Sequence, residues 1–195
     1  MKRRNRMSPE KLLGALEVAG KLKDVTRHSW TASGRRESTA EHTFRLALFA
    51  FFIKDEFPQI DSYKLIKMCL IHDLGEAFTG DIPSFEKTKG DESNEEDVLL
   101  GWVDSLPEPV SSEMSELYRE MIEMKTDEAK IYKAMDNLEA VITHNEADLS
   151  TWIEKEYTLN LTYGEERCAE FPYLAELRRL VRGITEKKIE NATRT

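Results

Sequence analysis

Cysteine is scarce: Cys69 sits in an apolar run and Cys168 near an acidic stretch, and the two form no repeated spacing. That excludes a disulfide framework and a cysteine-built zinc site, and fits a reducing, cytoplasmic compartment. Long hydrophobic runs are missing too. No stretch of about 18 apolar residues occurs, so no segment reads as a membrane-crossing helix, and the chain is expected to be soluble with a frayed basic start at Met1–Met7. Positive charge is in deficit, 28 Lys and Arg against 37 Asp and Glu, a net charge of −9. Such a chain repels a nucleic-acid backbone unless its basic residues gather on one face, which makes nucleic acid a poor partner. There is no sustained polar/apolar alternation with β-branched enrichment, no internal repeat and no low-complexity linker.

What remains is helical spacing nearly throughout, in 195 residues, a length suited to one domain. The expected class is all-α, with a core over about residues 8–150 and further helices at 151–190. Ser8-Pro9 starts a first helix whose buried stripe is expected to be Leu12, Leu13, Leu16, Ala19 and Leu22. Lys23 to Glu37 reads as a loop. Ser38-Thr39-Ala40-Glu41 has the form of a capping box, so a second helix runs from there past Phe52 and stops before Pro58, with His42 in its first turn. Asp61 caps a third helix. Its residues Leu65, Ile66, Met68, Cys69, Leu70 and Ile71 leave almost no polar face, which places it at the centre of the fold. Thr79 to Ser84 is turn chemistry, and Glu86 to Asp97 reads as a mobile loop entering a helix with Val98, Leu99, Trp102, Val103 and Leu106. Two helices, 112–125 and 127–148, follow, and a last one carries Leu174, Leu177, Leu180, Val181 and Ile184.

Chemistry concentrates where the apolar third helix ends, at His72-Asp73-Leu74-Gly75-Glu76. A buried imidazole beside a carboxylate needs a cation, a salt bridge or solvent to compensate it. On a continuous helix Glu76 would share a face with both His72 and Asp73, and Gly75 would let another backbone approach. His42, His72, Asp73 and Asp136 together offer two imidazoles and two carboxylates, a set suited to Mn, Fe, Co, Ni, Zn or Mg. The plain alternative is a helix end in which His72 caps carbonyls, Asp73 pairs with a basic residue and Asp136 lies on a solvated shoulder. His28 and His144 read as ordinary surface or loop histidines.

Glu41-His42, then His72-Asp73 with Glu76 and Thr79-Gly80-Asp81, then Lys133-Ala134-Met135-Asp136, resemble the HD superfamily of metal-dependent phosphohydrolases. The resemblance is to its 5′-deoxynucleotidase branch and covers about residues 10–150. It implies a single HD-type helical bundle whose central helix carries the His-Asp pair. It further implies that His42, His72, Asp73 and Asp136 hold one divalent cation and that Glu76 manages the attacking water. Asp81 would hydrogen-bond the sugar, Arg27 would meet the phosphate or sugar, and Trp30 would exclude ribose. Arg35 and Glu37 match the family's loop before the first metal-binding histidine, and a homodimer is implied for the assembly.

The activity expected from this resemblance is removal of the 5′-phosphate from deoxynucleoside monophosphates. Two other readings compete with it. The same metal site can serve another nucleotide or phosphomonoester, or the chain can be a non-catalytic helical sensor. A base such as Glu76 beside an open metal position favours catalysis, since a purely structural site has no need of it.

Overall fold

The structure, a computed structural model, describes residues 6–193; the start expected to be frayed falls mainly on residues 1–5, outside the described residues. The first helix, α1, spans Pro9–Lys21. Ser8 Oγ accepts the Lys11 N–H at 3.3 Å, and proline occupies the first turn, where its missing N–H costs nothing. Two short antiparallel strands follow, β1 at Thr26–Trp30 and β2 at Arg36–Ser38. Helix α2, Thr39–Ile53, opens with the expected capping box, in which Ser38 accepts the Glu41 N–H and Glu41 accepts the Ser38 N–H. Helix α3, Ser62–Ile71, is capped by Asp61, whose carboxylate accepts the Tyr63 and Lys64 N–H groups.

A turn leads to the single-turn α4 at Glu76–Thr79, then α5 at Lys89–Ser105, α6 at Val110–Glu123 and α7 at Asp127–Glu146. Two short helices, α8 at Glu156–Thr162 and α9 at Glu165–Ala169, precede the long α10 at Pro172–Thr193. Apart from the hairpin the fold is all-α. Among the described residues no helix is long and apolar enough to cross a membrane.

Helix α3 lies at the centre, packed on α2, α6 and α7. Leu46 and Ala50 of α2, Leu65, Met68 and Cys69 of α3, and Ile131, Met135 and Leu138 of α7 are fully buried. The larger of these side chains contribute about 1.5–3 kcal/mol each by leaving water. The central helix is nonetheless not sealed all round. Leu70 is 48% exposed, and Ile66 and Ile71 are only half-buried, so one face of α3 carries the core.

Three expectations are corrected. The segment Lys23–Glu37 is not a loop: it holds the β1–β2 hairpin, whose inward positions Ser29, Glu37 and Ser38 are polar and so hide the alternation that marks a strand. The acidic stretch 86–97 is largely helix, because Thr88 and Asp91 form a second capping box that starts α5 at Lys89. The α1 stripe is not buried either. Leu12, Leu13 and Leu16 are exposed within the chain, and only Leu22, just past the helix, is sequestered. Leu180 and Ile184 of α10 are likewise exposed, whereas Leu174 and Val181 face the core.

Candidate functional site

The first turn of α2 delivers His42, the end of α3 delivers His72 and Asp73, and α7 delivers Asp136. The Nε2 atoms of the two buried histidines face each other at 3.2 Å. Their other ring nitrogens are committed: His42 Nδ1 lies 2.6 Å from Glu139 Oε2, and His72 Nδ1 lies 2.9 Å from the Cys69 carbonyl. A carbonyl and an ionised carboxylate can only accept, so each Nδ1 carries the proton and each Nε2 presents a lone pair to the centre. Asp73 Oδ2 stands 3.0 Å from His72 Nε2 and 3.7 Å from His42 Nε2. Asp136 Oδ1 stands 3.2 Å from His42 Nε2 and 3.7 Å from His72 Nε2.

Two imidazole lone pairs and two carboxylate oxygens thus converge with no donor among them, an arrangement that calls for positive charge at its centre. A proton is one answer. Burial and Arg27 push His42 down, yet Glu139 and its hydrogen bonds to Asp136 and Glu139 lift it to about 10. A divalent cation is the other, and the donor atoms of His42, His72 and Asp73 already lie within 4.8 Å of one another. Two nitrogens with carboxylate oxygens suit first-row divalent ions or Mg, so the residues present fit a metal.

The acids around this centre differ in their protonation. Burial works against ionising Asp73 and Asp136. Even so, His72, His42 and Arg27 hold Asp73 below the ordinary range, and Lys133 with the histidines does the same for Asp136. Glu76 goes the other way: burial first, then the charges of Asp73 and Asp81, push it up to about 9 against the hydrogen bond from Thr39 Oγ1 at 2.8 Å. The helix expected to run continuously through His72–Glu76 is interrupted. His72–Gly75 tightens into i→i+3 bonding, with Leu74 N–H donating to Ile71 O and Glu76 N–H to Asp73 O, before α4 begins. Gly75 admits a side chain rather than a backbone: a Cβ there would lie 2.7 Å from Glu95 Cγ of α5. Gly80, at φ +78° and ψ 164°, takes an extended positive-φ conformation open mainly to glycine as the chain leaves α4 for Asp81, whose pKa burial raises.

A cavity of about 380 Å³ opens beside these groups, lined by Arg27, Asp73, Glu76, Asp81, Lys133 and Asp136 at one end. Strand β1 supplies Arg27, His28 and Ser29 in succession, although neighbouring residues of a regular strand point to opposite faces. The register explains this. Between Thr26↔Ser38 and Trp30↔Arg36, β1 advances four residues while β2 advances two, a bulge that re-aims the extra side chains. Arg27 Nη1 donates to Asp73 Oδ2 at 3.4 Å, and its Nε stands 3.5 Å from Glu37.

Trp30 is not brought to this cavity; the Arg36 guanidinium lies over its ring at 4.7 Å. Arg35 is engaged elsewhere, paired with Glu41 at 2.8 Å. The positive side chains lining the cavity are instead Arg27, Lys87, Lys133 and Arg167. Sequence reasoning missed Glu139, fully buried behind His42, whose only local signal is its position three residues after Asp136 inside an apolar stripe. It also missed the pairing of His28 and His144 with Glu156, which turns two supposed surface histidines into cavity lining.

A family model described as an HD domain matches residues 19–172, a span that contains every one of these groups. The chain belongs to the HD domain family. Among relatives, this HD domain is 31% identical over 136 residues to the 5′-deoxynucleotidase HDDC2 of Dictyostelium discoideum, covering 65% of this chain and 72% of that one. It is 31% identical over 139 residues to human 5′-deoxynucleotidase HDDC2, covering 69% and 67%. A solved structure from Magnetospirillum magnetotacticum MS-1, described as a predicted metal-dependent phosphohydrolase, shares the HD fold with a TM-score of 0.76. That match has 23% identity and covers 91% of this chain and 94% of the other.

Proposed function

We propose that this HD domain is a divalent-metal-dependent 5′-deoxynucleotidase that converts a deoxynucleoside 5′-monophosphate and water to the deoxynucleoside and phosphate. The observation that carries the proposal is the convergence of His42, His72, Asp73 and Asp136 beside Glu76 and Arg27 at the end of a nucleotide-sized cavity. The names of the relatives support it. His42, His72, Asp73 and Asp136 would hold the cation, drawn from Mn, Fe, Co, Ni, Zn or Mg. When bound, it supplies Lewis-acid polarisation of a phosphoryl oxygen and makes water more acidic.

The protein's own groups do the rest. Glu76, its carboxyl anchored by Thr39, takes the proton of the attacking water and returns it to the departing 5′-oxygen. Without the cation, burial and the charges of Asp73 and Asp81 favour its protonated form; a cation held beside it would favour the carboxylate that accepts the proton. Arg27 and Lys133 neutralise charge on the phosphoryl oxygens, which is most of what a monoester requires besides positioning. Asp81, which follows Gly80 and lines the cavity, accepts a sugar hydroxyl.

A homodimer is part of the proposal, supported by the exposed Leu12, Leu13 and Leu16 of α1 and Phe44, Phe51 and Phe52 of α2. So is a cytoplasmic setting, supported by two free, buried cysteines. Light scattering on the purified protein tests the first.

The activity is tested by phosphate release from paired deoxy- and ribonucleoside 5′-monophosphates. The protein is stripped of metal, supplied with Mn, Co, Mg or Zn in turn, and compared with Glu76→Ala. Release that requires metal, prefers the deoxy substrate and collapses in Glu76→Ala is expected. Release without metal, or none with any metal despite stoichiometric binding, overturns the reading.

A further inference from the structure

Helix α7 lines the cavity with a row of side chains, Lys133, Asn137, Ala140 and His144, at the spacing that keeps residues on one helical face. Lys133 belongs to the metal-binding end, where its Nζ donates to Asp136 Oδ2 at 2.8 Å. Asn137 stands one turn further along, about 6 Å up the axis, and touches none of the cluster. Its side chain is only 6% exposed. Among the described residues neither end of its carboxamide has a hydrogen-bond partner, yet neither is sealed: both open into the cavity that Asn137 lines. A polar group so nearly buried and left unpaired is costly unless a ligand completes it.

The base of this side chain is held from behind. Gly164, at φ +73° between α8 and α9, packs so closely that a Cβ there would lie 2.7 Å from Asn137 Cβ. That turn is itself anchored by the buried Arg178 of α10, which donates from Nε to Tyr163 O and from Nη2 to Asn160 O, both at 3.0 Å. Asn137 Cβ is therefore fixed, while the amide plane still turns about χ2, a broad and roughly two-fold torsion.

The chemistry of the wall says which part of a ligand meets it. The cavity's cations serve an anion, whereas an amide is neutral and offers a donor beside an acceptor. The lining next to it is uncharged as well: Ala140, small enough to leave room, then Tyr163 beside Gly164, with Leu159 one turn before Tyr163. A flat ring that carries a donor next to an acceptor fits such a wall. Every nucleobase has that pair on its edge. Adenine and cytosine set an amino N–H beside a ring nitrogen, and guanine and thymine set a ring N–H beside a carbonyl.

Resting on the nucleotidase reading, we propose that Asn137 is a nucleobase contact whose carboxamide pairs with the donor–acceptor edge of the base. By turning over about χ2 it serves all four bases, so the wild type accepts their deoxynucleotides within about tenfold of one another.

Asn137→Asp makes the test sharp. A carboxylate only accepts, and guanine alone sets two donors side by side, N1–H and the 2-amino group; the other bases bring a lone pair that the carboxylate repels. At about pH 8 and saturating metal, the ratio of kcat/KM for dGMP over dAMP is expected to rise at least tenfold in Asn137→Asp relative to wild type. The ratio cancels any loss common to all substrates, including one through the neighbouring Asp136. Asn137→Leu, which keeps the bulk without the amide, is expected to raise KM for all four substrates. An unmoved dGMP to dAMP ratio in Asn137→Asp overturns the proposal and leaves the nucleotidase reading intact.

Equilibrium titration of the metal-loaded wild type and Asn137→Asp with deoxyguanosine and deoxyadenosine reads the contact without catalysis. A preference for deoxyguanosine that appears in the variant supports the contact even where no nucleotide is hydrolysed. Any other result in that titration overturns it.

Discussion

Glu139 Oε2 lies 2.6 Å from His42 Nδ1, on the side of the ring opposite the Nε2 atom that faces His72. Its other oxygen accepts from Thr143 Oγ1 at 2.9 Å, and Arg45 Nε stands 3.4 Å away. Burial favours its neutral form, but His42, Arg27 and Arg45 hold its pKa below the ordinary range, so it is a carboxylate that fixes the ring's tautomer. Glu139→Gln retains the size and the contact with Thr143 but loses the charge. Metal affinity, measured by competition with a chelator, is expected to fall about 10- to 100-fold. An affinity within a factor of two of wild type would show that Glu139 plays no part in orienting the ligand.

Gly75 and Glu95 make the turn between α3 and α4 a packing constraint. A methyl at position 75 would meet Glu95 Cγ at 2.7 Å, and Glu95 in turn holds Lys87, a cavity residue, at 2.7 Å. Gly75→Ala is expected to destabilise by about 1–3 kcal/mol despite alanine's better helix propensity. Adding Glu95→Ala should recover most of that loss, a non-additivity that denaturant titration of the four proteins in the cycle resolves. Simple additivity would place the strain elsewhere.

How far this site can be read in the sequence follows from how local its determinants are. Ser38-Thr39-Ala40-Glu41 puts His42 in a first turn whatever surrounds it, and the apolar run before His72 forces that residue to a buried helix end. Both signals lie within a few residues of the groups they place. Glu139 and Glu156 have no such signature, because what makes them consequential is a histidine 97 residues away in one case and 128 or 12 in the other. The hairpin escapes for a different reason: its buried positions, Ser29, Glu37 and Ser38, are polar, so the apolar alternation that marks a strand is absent. The apolar face of α1 is read correctly as apolar, but whether such a face is covered depends on packing that lies outside its own periodicity.

Glu37 provides a pH dependence of stability. Burial, then the nearby Glu139 charge, pushes it up to about 7 against Arg27, while the side chain is nearly inaccessible. The folded carboxyl therefore holds its proton more tightly than the unfolded one. Its contribution is full below the unfolded value of 4.5 and is lost as pH rises through about 7. Glu37→Gln is neutral at every pH and escapes that loss. In metal-stripped protein the variant should gain on the wild type between about pH 5 and 7.5, by roughly 3 kcal/mol at the upper limit. Parallel melting-temperature curves across that range would show that Glu37 ionises at its ordinary pKa.

Thr39 touches the chemistry only through Glu76, to whose Oε2 its hydroxyl donates at 2.8 Å, and that makes it a positioning residue. Thr39 is wholly buried at the start of α2, so replacement by valine keeps shape and volume while removing one donor to one carboxylate. With that donor gone, the remaining influences on Glu76, burial and the charges of Asp73 and Asp81, all raise its proton affinity further, apart from Arg27. The proposed base is then deprotonated only at higher pH. Thr39→Val is expected to lower kcat by about tenfold with KM nearly unchanged and to shift the rising limb of the pH–rate profile upward. Thr39→Ser, which restores the hydroxyl, should return the limb to its wild-type position. A loss in Thr39→Val that leaves the limb in place, or that Thr39→Ser fails to reverse, would assign Thr39 to packing alone and leave the orientation of Glu76 to its backbone.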